Sequence, residues 1–380
     1  PQIGRENTPK LRAQLAESGL DGFYVPHEDE YQNEYLPDAN ERLAWVSGFT
    51  GSFGSALVLR ERAALFVDGR YTIQAAEQTD NDMFERVSVP DPGPFGWIAE
   101  QDFDGQVIGY DPALMTPNGV CAFSRAARMA GAEGKAVAVN PIDQAWVDRP
   151  AQPQAPVIPH GIENAGQSSE EKRREIAKQL SAADADAVVI TAPASIAWLF
   201  NIRGGDVACS PLPLARAVLR ADASATLFLD PAKETDGLRE HLGNQVTLAP
   251  LDTLEAELDA LAGQTISLDP ALASAWFFQR LEAAGATLLR TQDPVLLPKA
   301  CKNAAEIAGS AEAHLRDGAA VVELLAWLDA QAPDSLRETQ VVPQLEGYRR
   351  RDNALQDISF ETIAGAGPNG AIMHYLSLIH

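Results

Sequence analysis

Short apolar runs bounded by polar turns alternate with stretches of helical spacing along most of this chain. Phe23-Tyr-Val25 and Val188-Val-Ile190 are brief runs of aromatic and β-branched residues, which predicts buried strands rather than helices. A helix is predicted before each, ending near Gly19 and near Ala183. Two further strands are predicted as a hairpin around Arg60-Glu-Arg62, and again around Arg220-Ala-Asp-Ala-Ser224. Thr8-Pro9 reads as an N-cap and first-turn proline for the first helix, and Ser168 with Glu171 as a capping box for its counterpart.

The same blocks recur in the same order. Leu15–Val25 matches Leu180–Ile190, Arg42–Gly51 matches Ser195–Gly204, and Ala56–Asp68 matches Ala217–Asp230. The shifts are 165 residues (Leu15 to Leu180), 153 (Arg42 to Ser195) and 162 (Asp68 to Asp230). Such a period is too long for a solenoid and predicts two copies of one α/β domain. Trp45 and Trp198 occupy equivalent positions, which predicts a shared packing role.

Pro150, Pro153, Pro156 and Pro159 fall within ten residues, so this stretch predicts an extended connector. The expected division is a first domain over 1–148, a linker over 149–162, a second domain over 163–298 and part of a third over 299–380. In the last region Asn303 and Glu306 look like a helix start. Ile307, Ala311, Leu315, Val322, Leu325 and Leu328 then predict one apolar helix face. A second helix is expected over about Leu336 to Arg350, a strand over Ser359–Ala364, and a glycine-rich turn over Gly365–Gly370.

Composition narrows the function. With 46 % apolar residues the chain has enough apolar surface to fold. With 30 Lys and Arg against 53 Asp and Glu, its formal charge of −23 repels phosphate backbones and anionic lipid, so neither nucleic acid nor membrane is an expected partner. Cys121, Cys209 and Cys301 form no disulfide framework or metal knuckle and are expected to be small buried apolar residues in a reducing compartment. No apolar run approaches the ~18–20 residues of a membrane span. The first ten residues lack both a signal-peptide core and an initiator Met, so a cytoplasmic location is expected.

The six histidines, His27, His160, His241, His314, His374 and His380, show no metal-ligand spacing. There is no GxSxG elbow or P-loop, and Pro368 breaks the phosphate-loop pattern of Gly365–Gly370. His374, just after that turn, is placed to enter a cleft, where an imidazole hydrogen-bonds a reacting carbonyl or moves a proton; packing on a domain surface is the alternative. His314 is expected at a core or boundary position. Arg70, in Asp68-Gly-Arg-Tyr71, suits carboxylate capture or a local ion pair with Asp68.

Several segments resemble those of the Xaa-Pro aminopeptidases (aminopeptidase P), within the creatinase and methionine aminopeptidase superfamily. They are Arg42-Leu-Ala-Trp-Val-Ser-Gly-Phe-Thr-Gly-Ser52, Ala64–Gln74, Ile196–Val207, Lys302–Ile307 with Ala313–Ala319, and Ser359–Tyr375. The resemblance implies an α/β chain of the long, three-domain type. Two creatinase-like domains with mixed sheets and flanking helices would precede the start of an α+β pita-bread catalytic domain. It implies two divalent metal ions, usually manganese, held by Asp, His and Glu, and a bridging hydroxide that attacks the bond before proline. It also implies peptides with proline in the second position as substrates, and a homodimer. His374 matches the family histidine that contacts substrate and assists proton transfer, and Arg70 matches an arginine that reaches toward substrate.

The family's metal ligands lie downstream of the His374-Tyr375 motif. This chain is therefore expected to be an N-terminal fragment without metal ligands and without activity of its own. Leu376–His380 resembles translated adapter sequence, so His380 is not read as a ligand. Two other readings stay open. One is a pita-bread-fold binding or scaffold protein without metals; the other is a prolidase- or creatinase-like hydrolase.

Overall fold

The computed structural model describes residues 1–373 and Tyr375. Six short runs form the first set of strands: β1 (Gly22–Pro26), β2 (Ser55–Leu59), β3 (Ala63–Asp68), β4 (Phe84–Val89), β5 (Val107–Tyr110) and β6 (Glu133–Ala136). They make one sheet in the order β4-β3-β2-β1-β5-β6. The β1–β2 and β2–β3 pairs are antiparallel, and the other three pairs are parallel. Every residue of β1 and β2 is buried because both faces are covered. Leu11 and Leu15 of helix α1 (Gln2–Glu17) close one face; Phe123, Ala126 and Ala127 of the Pro117–Met129 helix close the other.

The second set has the same plan. The strands are β7 (Ala187–Ile190), β8 (Arg216–Arg220), β9 (Ala225–Phe228), β10 (Val246–Ala249), β11 (Thr265–Leu268) and β12 (Thr287–Arg290). Their order is β10-β9-β8-β7-β11-β12, and each pair runs in the same relative direction as its counterpart. Small details repeat as well. Asp21 donates its N–H to Val107 O and accepts the Val107 N–H on Oδ2, both at 2.8 Å. Asp186 does the same with Thr265 at the same distances. The duplication read from the sequence is therefore present in the backbone.

Helix α2 (Ser169–Ala182) starts with the expected Ser168–Glu171 capping box. The first helix differs from expectation. It begins at Gln2, so Pro9 lies inside it, and Thr8 is no cap: it is buried and donates to Val46 O at 2.9 Å. Tertiary packing of Thr8 overrides the local cap signal. Cys121 and Cys301 are exposed rather than buried, since each lies outside the core clusters. Residues 151–157, in the proline-rich stretch, have no regular structure.

Arg216 joins the two sheets. Its guanidinium lies over the Tyr31 ring at 3.5 Å and donates to Glu30 O, Thr191 O and Ala215 O. It borders a cavity of about 740 Å³ lined by Tyr31, Trp276 and Phe277.

After residue 300 two helices pack together, α3 (Ala304–Asp329) and α4 (Glu338–Arg349). The Asn303–Glu306 start is a capping box. Their small core is Ala320, Leu324 and Leu345, with Val341 and Tyr348 against it. The predicted apolar face of α3 is not the one α4 covers: Ile307, Leu315, Val322 and Leu325 are exposed, and Leu328 packs on the core. No strand forms over 359–364, because nothing among the described residues pairs with it. No helix among the described residues is long and apolar enough to cross a membrane.

Candidate active-site region

The glycine-rich segment is a short 3₁₀ turn, Gly367–Ala371, entered through Gly367 at φ +56°, a backbone angle suited to glycine. One carboxylate holds it. Glu338, in the first turn of α4, accepts from Tyr375 Oη at 2.7 Å, from Asn369 Nδ2 at 3.0 Å and from the Ala366 N–H. Asn369 Nδ2 also donates to Tyr375 Oη at 2.9 Å. These bonds hold the Glu338 carboxyl below the usual carboxylate range and push the Tyr375 phenol up. Tyr375 is buried, so the chain on either side of position 374 is anchored to α4. His374 itself lies outside the described residues.

Arg70 follows the end of β3, where a turn closes with the Tyr71 N–H on Asp68 O at 3.0 Å. Its guanidinium pairs with Asp68 at 2.8 Å and lies over the Phe53 and Tyr71 rings at 5.8 and 5.2 Å. The Asp68 hydrogen bond raises its pKa. Of the two sequence readings, the local ion pair is present; it leaves the guanidinium partly exposed beside Tyr35. Desolvation, Glu34, Tyr71 and Cys209 push the Tyr35 phenol up, against Arg70. Desolvation pushes the Cys209 thiol up, followed by the charges of Asp357, Glu361 and Glu346.

Sequence reasoning missed Glu338, Tyr35 and Cys209. Glu338 is 28 residues from the nearest backbone group it holds, and no local spacing marks it. Nearby, a cavity of about 630 Å³ separates α3 from the second sheet's helix Pro193–Phe200, with Trp198, Arg203, Glu306 and His314 on its walls. Trp198 Nε1–H donates across it to Glu306 at 3.3 Å. Thus Trp198 is not a copy of Trp45, which is buried and stacked on Trp146 at 5.6 Å. His314 is exposed, not a core histidine, with Nδ1 2.8 Å from Ser310 O.

Among the described residues no three His, Cys, Asp or Glu side chains are placed to hold a metal ion. A dinuclear centre does not fit the donors found there.

Residues 8–141 match a family model described as Creatinase/Prolidase N-terminal domain, and residues 148–306 match a second model with that description. The class is thus a tandem pair of creatinase/prolidase N-terminal domains. The chain is 36 % identical over 380 residues to "Probable Xaa-Pro aminopeptidase P" of Coccidioides posadasii, covering 96 % of this chain and 62 % of that protein. It is 34 % identical over 384 residues to the protein of the same description from Aspergillus niger, covering 97 % and 62 %. The crystal structure of X-prolyl aminopeptidase from Caenorhabditis elegans, described as a cytosolic enzyme with a di-nuclear active site, superposes with a TM-score of 0.89. It is 26 % identical and covers 98 % of this chain and 64 % of that one. The chain belongs to the aminopeptidase P family of the creatinase and methionine aminopeptidase superfamily. It spans about three fifths of the length of these curated relatives.

Proposed function

We propose that the gene product carrying this chain is a metal-dependent Xaa-Pro aminopeptidase, which removes the residue before proline from peptide N-termini. The observation that carries this is similarity to aminopeptidase P across 96 % of the chain. Two divalent ions, manganese by family resemblance, belong to this reading and would activate water and stabilise the developing charge. The chain's own part is to position. The Glu338 bonds fix the turn before His374, whose imidazole hydrogen-bonds the substrate and moves a proton near neutral pH. Arg70, oriented by Asp68, binds substrate through a carboxylate or carbonyl oxygen. The reading divides the chain at 1–148, 149–162, 163–298 and 299–380, and includes a homodimer and a cytoplasmic location.

The test is release of the N-terminal residue from matched peptides with proline or alanine in second position, with and without a chelator. Chelator-sensitive, proline-dependent release is expected from the gene product. Replacing His374 with Ala should lower kcat by roughly 10²–10⁴, and R70A should raise KM. Release indifferent to proline, or none with metal supplied, overturns the reading.

A further inference from the structure

The shift of 165 residues pairs Leu15 with Leu180 and, two and three turns earlier, Thr8 with Arg173 and Gly4 with Ser169. All of these are buried. In the first copy the space is filled: a Cβ on Gly4 would come within 3.0 Å of Ser47 O, and Thr8 has its partner in Val46 O. In the second copy a cavity of about 580 Å³ opens at this place. Ser169 and Arg173, four residues apart on one face of α2, line it with His160, His241 and Asn201.

Both helix side chains carry orphaned polar atoms. Ser169 is 6 % exposed and Arg173 2 %, yet Ser169 Oγ and Arg173 Nε have no hydrogen-bond partner. Arg173 Nη1 is occupied by Ala223 O at 2.6 Å. That bond leaves the Nε–Nη2 edge, the side-on fork that suits two oxygens of one anion. Among the described residues Arg173 has no ion pair; Glu170 is paired with Arg174, and Glu240 is exposed at the rim. Burial lowers the Arg173 pKa, opposed by the Glu170 charge and aided by Arg174.

We propose that this cavity of the second copy binds a small oxyanion, free phosphate or the phosphate of a monoester, on the Arg173 fork and the Ser169 hydroxyl. The site does not depend on the peptidase reading. It also differs from the Gly365–Gly370 segment, which lacks a phosphate-loop pattern.

The test is calorimetric titration of the 380-residue chain with inorganic phosphate and, separately, with glycerol phosphate, in chloride buffer at constant ionic strength. Saturable binding is expected, weakened roughly tenfold by S169A and at least as much by R173K. S169A carries the test should R173K fail to fold. Tighter binding of glycerol phosphate would identify a monoester as ligand, and tighter binding of inorganic phosphate the free ion. No saturable binding of either, or binding that S169A leaves unchanged, overturns the proposal.

Discussion

The two sheets share strand order, pairing and even the Asp21 and Asp186 bonds, but the helices that open the two copies do different work. In the first copy, Asn7 Nδ2 donates to Trp45 O at 2.9 Å. In the second, Lys172 stands at the same place and donates to Trp198 O at 3.0 Å. One contact is made by a neutral amide and the other by a buried ammonium. The Lys172 Nζ also lies over the Trp198 ring at 4.1 Å and donates to Asn201 Oδ1 at 2.7 Å. In the first copy the tryptophan stacks on Trp146 of its own domain, whereas in the second it donates to Glu306 of α3. A duplicated backbone can therefore keep its hydrogen-bond skeleton while charge is redistributed over one face.

The largest test of this contrast is truncation of the paired tryptophans. Trp45→Ala removes a buried, stacked ring and should destabilise the first copy by about 3–5 kcal/mol. Trp198→Ala, at a partly buried ring, should cost about 1–2 kcal/mol and loosen α3 through the lost Glu306 bond. Denaturant unfolding with amide exchange in each region checks this; equal losses at the two sites would break the contrast.

A second test exchanges the helix residue. Burial lowers the Lys172 pKa to about 8 from 10.5, so the folded protein disfavours the ammonium. Between pH 8 and 10.5 the unfolded chain holds a proton that the folded chain has released. Stability of the second copy should therefore rise with pH across that window, by up to about 3 kcal/mol. In K172N, which installs the first copy's residue, this rise should be absent. Chemical denaturation at pH 7, 9 and 10.5 reads the difference; parallel pH curves for the two proteins would count against it.

The smallest effect concerns the third region. Glu338 has a lowered carboxyl pKa in the fold, so its stabilisation is complete above the ordinary value of 4.5 and fades as pH falls through the lowered one. Amide protection factors in residues 365–373, corrected for intrinsic exchange, should fall with acidity. They should already be low in E338Q at neutral pH. Protection unchanged in E338Q would remove Glu338 as the anchor of this turn.

Much of the fold was legible because its signals are local. The strand runs, both hairpins and the Ser168 and Asn303 helix starts lie within a few residues of sequence. The Thr8-Pro9 cap failed because Thr8 found a partner 38 residues away. The 359–364 strand failed because alternation describes a face but cannot supply a neighbouring strand. The candidate site was half legible. His374 and Arg70 are candidates through motif context, whereas Glu338 acts through distant hydrogen bonds that leave no periodic trace.

The Arg216 bridge bears on how the molecule would respond to cutting. Its charge comes from the second copy, but the ring beneath it and one of its carbonyl acceptors come from the first. If a protease nicked the irregular 151–157 stretch, parting the halves would strip this guanidinium of both. The nicked halves should thus stay together on a sizing column, held by a contact that owes nothing to the peptide between them.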